Sequence, residues 1–132
     1  MAKAYKHKLL EVMAENRRGK GAEIFGALKE AGVNIEAHCI WTQDDQAFFW
    51  IVPDDFDKAR KALRKLKLRS KTLKALVVEI PNRPGAYADL LAKVAEAGVD
   101  MKVAWATAAV KKVVKVIMTT SSDAKALKAI NG

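Results

Sequence analysis

Six residues come back almost unchanged half a chain later. EAGVNI at 30–35 recurs as EAGVDM at 96–101, an offset of 66 in a chain of 132 residues. A sequence that repeats at half its own length has to fold as two copies of one unit. At the same offset Leu10 meets Leu76 and Val12 meets Val78, while Asn16, Arg17 and Gly19 meet Asn82, Arg83 and Gly85. Ala22 meets Ala88, Ile51 meets Ile117 and Asp57 meets Asp123, so the alignment needs no gap. The chain reads as a tandem duplication with domains at 1–70 and 71–132.

Each copy has the same local grammar. Leu10, Val12 and Ala14 alternate with polar or mixed neighbours, as do Leu76, Val78 and Ile80, which is the period of a half-buried strand. A polar, glycine-containing turn follows, NRRGKG or NRPG. Then come helical stripes, Ile24, Phe25, Leu28 and Ala31 in one copy and Leu90, Leu91, Val94 and Ala97 in the other. Gly32 and Gly98 end these helices, glycine being the residue that accepts the left-handed position after a helix. Residues 33–41 place Val33, Ile35, Ala37, Cys39 and Trp41 on one strand face, and 99–107 repeat the arrangement with Val99, Met101, Val103 and Trp105. A polar or basic turn leads to the apolar runs AFFWIV (47–52) and VVKVIM (113–118). Asp54 or Asp55, and Ser122 or Asp123, are suited to capping a second helix, with Phe56, Ala59, Leu63 and Leu66 as the buried stripe of the first.

The order βαββα, twice, predicts an α+β fold: two ferredoxin-like βαββα(β) units in tandem, antiparallel sheets with helices packed on one face. The first copy has room for a fourth strand near 66–70. The second ends at Gly132 without one, which leaves the edge of strand 76–80 open unless the N-terminal segment or another subunit covers it.

Composition narrows the function classes. Half-apolar content (51%) excludes a disordered chain, and no run nears the roughly 18 apolar residues that cross a bilayer. The N-terminus turns charged too soon for a secretory leader, so a cytoplasmic protein without a membrane partner is expected. A single cysteine, Cys39, excludes an internal disulfide and a multi-cysteine metal site. The net charge of +9 favours anionic partners, or serves solubility alone.

The strand, N-R-P-G turn and helix ending A-G-V-(N/D)-(I/M) resemble the signature of the ACT domain. PNRPGAYADLLAKVAEAGVDM matches it closely, whereas the first copy keeps Asn16, Arg17 and Gly19 but has Arg18 where the proline stands. The resemblance covers the whole chain and is similar to small prokaryotic tandem ACT proteins without a catalytic domain. It implies a βαββαβ fold, side-by-side pairing into a homodimer or larger homo-oligomer, and a free amino acid held at the domain interface by the loop before the first helix.

The positions this implies are Asn82, Arg83, Pro84, Gly85, Ala86, Tyr87, Asp100 and Met101, with Asn16, Arg17, Gly19, Asn34 and Ile35 in the first copy. Their physics is simple. The helix N-terminus suits a carboxylate. Gly19 and Gly85 allow close backbone approach, or serve turn geometry alone. Pro84 stiffens the better loop, and Tyr87 either lines the pocket or packs at the helix start. Asn34 and Asp100, expected beside that turn, would accept from an ammonium, or be ordinary turn residues. Asn16 and Asn82 read equally as capping residues. Arg17, Arg18, Lys20 and Arg83 either attract an anion or are merely solvated.

Signatures of catalysis, of a metal and of a cofactor are missing. His7 and His38 lack zinc spacing, and His38 and Cys39 point to opposite faces of one strand, which separates a nucleophile from its base. RRGKGAE lacks P-loop spacing, and Asp44, Asp45, Asp54 and Asp55 read as turn and cap carboxylates. Nucleic acid is the rival, since AFFWIV lies where RNA-binding ferredoxin-like domains stack bases. VVKVIM has no aromatic, however, and Trp41, Trp50 and Trp105 fit buried faces. The basic stretch 59–74 remains available to phosphates. A third reading is a regulatory subunit docked to a metabolic enzyme through its open sheet edge.

Overall fold

The elements run β1 (Lys3–Glu15), α1 (Lys20–Glu30), β2 (Ile35–Gln43), β3 (Gln46–Pro53), α2 (Phe56–Lys65), β4 (Ser70–Pro81), α3 (Ala86–Glu96), β5 (Met101–Ala106), β6 (Val113–Thr120) and α4 (Asp123–Asn131). This is the α+β, tandem ferredoxin-like order expected, seen in a computed structural model that describes residues 2–107, 109 and 111–132. The turn between β5 and β6 lies partly outside the described residues.

Two compact units form. One is Leu9–Leu73; the other joins the start of the chain, through Lys8, to Lys74–Gly132. In the first, β3 lies between β2 and β1, with antiparallel pairing Leu10 to Ile51 and Trp41 to Phe48. In the second the strand order is β1, β4, β6, β5. The start of β1 therefore lies beside β4, the strand whose edge was expected to be open. Its Ala4 is buried with Leu76, Val78, Leu90 and Met118. The first copy's separate strand at 66–70 does not form. Lys67 turns left-handed (φ 61°) while Leu66 and Leu68 pack on the core, so the strand begins only at Ser70 and runs unbroken to Pro81.

Each unit has its own core between helices and sheet. Leu10, Val12, Ile24, Leu28, Phe49, Ile51 and Leu63 fill one; Leu76, Val78, Leu90, Val94, Val116 and Met118 fill the other. Fully burying a side chain of this size contributes about 1.5–3 kcal/mol.

The repeat is not gapless. Leu10 pairs with Ile51, whereas its counterpart Leu76 pairs with Met118, not Ile117. The offset is 66 through the second strand of each copy and 67 from the third onward, because the second hairpin is one residue longer. The slip is required, since a one-residue shift turns every strand side chain to the other face. At 67 the core positions agree: Ala47, Phe49 and Ile51 correspond to Val114, Val116 and Met118. Asp55 and Ser122 then emerge as equivalent N-caps, accepting from Lys58 N at 3.1 Å and Lys125 N at 3.4 Å.

Bulges at Ile35/Ala37 and Met101/Val103 overturn a second expectation. Ile35 packs with the helices, but beyond the bulge His38 faces them, its ring 5.6 Å from that of Phe25. Cys39 and Trp41 turn to the opposite face, across from Trp50 and Phe48. The bulge's extra residue exchanges the two faces, which an unbroken alternation cannot anticipate.

Candidate ligand pocket at the helix α3 N-terminus

The NRPG turn is held by the backbone. Asn82 N donates to Lys112 O (2.8 Å), Arg83 N to Pro81 O (3.1 Å) and Ala86 N to Arg83 O (3.3 Å). Gly85 is the N-cap, at φ 87° and ψ −16°, a left-handed conformation that costs an L-residue about 1–2 kcal/mol. No side chain caps the helix. None caps α1 either, so neither Asn82 nor Asn16 is a helix cap. Among the described residues the amides of Tyr87 and Ala88 have no protein acceptor, so they and the helix dipole are left for an anion.

Beside this turn lies a cavity of about 200 Å³, lined by Asn82, Arg83, Ala86 and Tyr87 from the turn and Ile80, Ala106, Val114 and Val116 from the sheet. That volume is below the roughly 300–1,000 Å³ of drug-sized pockets and suits a small metabolite. Tyr87, 41% exposed, stands at its rim and is not a core residue. A second hollow of about 320 Å³ shares Ile80, Pro81, Arg83 and Ala86 and adds Asp89 and Lys93.

Arg83 links the two. Its Nη2 lies 3.6 Å from Asp89 Oδ2 and its Nη1 donates to Pro84 O (3.2 Å). Both side chains are more than half exposed, so the pair is weak and readily exchanged for a ligand's charges. Asp89 was not among the residues singled out from sequence. Its signal was present: Glu23 occupies the matching place at offset 66, and both open the first turn of a helix.

Asp100 and Met101 are not at this turn. Asp100 N donates to Ser121 Oγ (2.9 Å) and Ser121 N to Asp100 O (2.8 Å), at the opposite end of β6 from Lys112. The eleven residues of α3 separate Gly85 from that end by roughly 16 Å. Asn34 makes the same contacts with Asp54 in the first copy, so Asn34 and Ile35 are likewise remote from Gly19. The reason is topological: a helix antiparallel to the strand before it delivers the chain to the far end of the sheet.

The first turn is built alike, with Gly19 at φ 86°, but its charges are engaged. Glu23 accepts from Arg17 (3.0 Å) and from Lys20 (3.3 Å). The Lys20 hydrogen bond and charge, with those of Arg17, hold the Glu23 carboxyl below its ordinary range. Ala86 stands where Lys20 does, leaving Asp89 to one cation.

The aromatics of the first unit are engaged with one another. Trp41 stacks on Phe48 (5.1 Å, 10°) and meets Trp50 edge-on (5.5 Å). Trp50 is 6% exposed and donates from Nε1 to Glu11 (2.8 Å). They occupy the helix-free face on which RNA-binding domains of this topology stack bases, but buried Trp50 offers no stacking platform. Among the described residues no group of three or more His, Cys, Asp or Glu is placed to hold a metal, and no helix is long and apolar enough to cross a membrane.

The fold recurs in solved structures. A protein from Bacteroides thetaiotaomicron is 26% identical, with TM-score 0.90 over 97% of this chain and 88% of that one. The ligand-free regulatory subunit of aspartate kinase from Thermus thermophilus is 19% identical, with TM-score 0.68 over 98% and 94%. That of Thermus flavus is 18% identical, with TM-score 0.64 over the same shares. No curated protein matches the sequence. Residues 6–130 match the ACT domain pair family, and with two βαββα copies, each carrying a glycine turn ahead of its first helix, the chain belongs to that family.

Proposed function

We propose that this chain is a non-catalytic, cytoplasmic regulatory protein that binds a free amino acid at the turn before α3. The observation that carries this is the placement of complementary charges across two adjoining hollows that share Arg83. The α3 N-terminus and Arg83 suit a carboxylate, Asp89 suits an ammonium, and Ile80, Val114 and Val116 suit a short apolar side chain. Asp89 takes the role that the sequence alone assigned to Asp100. Ala106 lies exposed on edge strand β5, so a second ACT domain in a homodimer or larger homo-oligomer would close the pocket. The functional units are the two copies, 1–70 and 71–132. The second binds more tightly because Glu23 already holds two cations in the first.

The fold shared with regulatory subunits of aspartate kinase supports transmission to a metabolic enzyme. Transmission requires that ligand bind two states unequally. Isothermal calorimetry against the amino acids tests the site. Arg83→Ala and Asp89→Asn should each weaken the best ligand at least tenfold, while Arg17→Ala changes it little. Equal loss from Arg17→Ala, or none from either second-copy variant, would remove the pocket from the account.

A further inference from the structure

The chain's charge is not spread over its surface. Between 56 and 74 there are nine Lys and Arg residues against one carboxylate, Asp57, a net +8 of the chain's +9. Eight of the nine are exposed, and among the described residues none is ion-paired. Folding does not demand this. The equivalent helix α4 carries only Lys125 and Lys128 with Asp123 and still buries Ala126 and Ile130. Uncompensated charge of one sign repels itself, so concentrating it on one segment carries a cost that a partner would offset.

That segment borders a groove of about 440 Å³ between α1 and α2, within the Leu9–Leu73 unit and apart from the pocket at Gly85. Its floor is Ala27, Ala31, Ala62 and Leu66. Lys58, Lys61 and Lys65 form one rim, spaced at i, i+3 and i+7 along a single helix face, and Glu30 stands among the remaining walls. We infer that this groove docks an acidic amphipathic helix of a partner protein. Its apolar stripe would lie on the alanine floor, and its Asp and Glu flank would run along the lysine rim. A phosphate backbone is the poorer occupant, because it has no apolar group for the floor. No aromatic lines the groove on which a base would stack.

The test titrates the full chain with three labelled helical peptides of equal length. One has an apolar i, i+3, i+4 stripe flanked by Glu; one has the same stripe flanked by Lys; the third has the Glu composition with the stripe scrambled. A single-stranded and a double-stranded oligonucleotide complete the set. Fluorescence anisotropy should show the Glu-flanked peptide binding at least tenfold more tightly than the other four probes. The triple variant K58E/K61E/K65E, which changes only exposed residues, should lose at least tenfold for that peptide while its circular dichroism and melting stay unchanged. No binding of the Glu-flanked peptide, indifference to its scrambling, or tighter binding of an oligonucleotide would each overturn the inference.

Discussion

Asn131, the last residue of α4, fastens the start of the chain to the second unit. Its Oδ1 accepts from Ala4 N (2.7 Å) and its Nδ2 donates to Ala4 O (2.8 Å), so one amide side chain satisfies both backbone groups of a buried strand residue. Asn131→Ala should cost about 1–3 kcal/mol, two partly buried hydrogen bonds at about 0.5–1.5 kcal/mol each. Urea denaturation will read this, and an unchanged midpoint would contradict it. Cys39 makes a second residue-scale case. Burial pushes its thiol up, and His38 lies on the other face of the strand, so no base assists it. Its alkylation by iodoacetamide should follow a titration with a midpoint above the ordinary value of about 8.5. A midpoint below that value would mean an activating neighbour. Gly85 is the residue on which turn and pocket both depend. Gly85→Val should cost about 1–2 kcal/mol in backbone strain and abolish the tighter amino-acid binding, whereas Gly19→Val should carry the same strain and leave that binding intact. Calorimetry alongside urea denaturation separates the two effects.

At the scale of elements, local signals were legible and register was not. Glycine at φ 74° and 73° after α1 and α3 follows from residue type alone, which also narrows the caps to Asp54 or Asp55 and Ser122 or Asp123. The structure selects Asp55 and Ser122. Asp55→Ala should therefore cost about 1 kcal/mol, read as a lower urea midpoint, with no effect on amino-acid affinity. The extra residue in the second hairpin escaped notice because Ile117 and Asp123 happen to match Ile51 and Asp57 at the wrong offset. Only the ladder partners Ile51 and Met118 expose the slip. The bulges hid for a similar reason. Val33, Ile35, Ala37, Cys39 and Trp41 alternate without a break, and nothing in residue type marks where the backbone inserts a turn of face. Of the pocket, the glycine turn was readable as a motif. Its walls at Ala106, Val114 and Val116 arrive from strands distant in sequence, and Asp100 was misplaced for want of the helix's direction.

For the molecule as a whole, the exchange of strands decides what can stand alone. The second copy takes its fourth strand from residues 3–8, the start of β1, so deleting residues 2–8 removes Ala4 from a core and uncovers β4. The truncated chain should melt lower and associate with concentration through that edge, as sedimentation velocity will show. Identical melting and sedimentation would mean the strand is dispensable. The central claim is that this ACT pair senses an amino acid at α3. Its most direct measurement is a thermal-shift screen of the twenty amino acids on the full chain, repeated with Arg83→Ala. The account predicts a selective rise in melting temperature with one or two small amino acids, growing with concentration and lost in the variant. A flat screen, or a rise that survives Arg83→Ala, would contradict it.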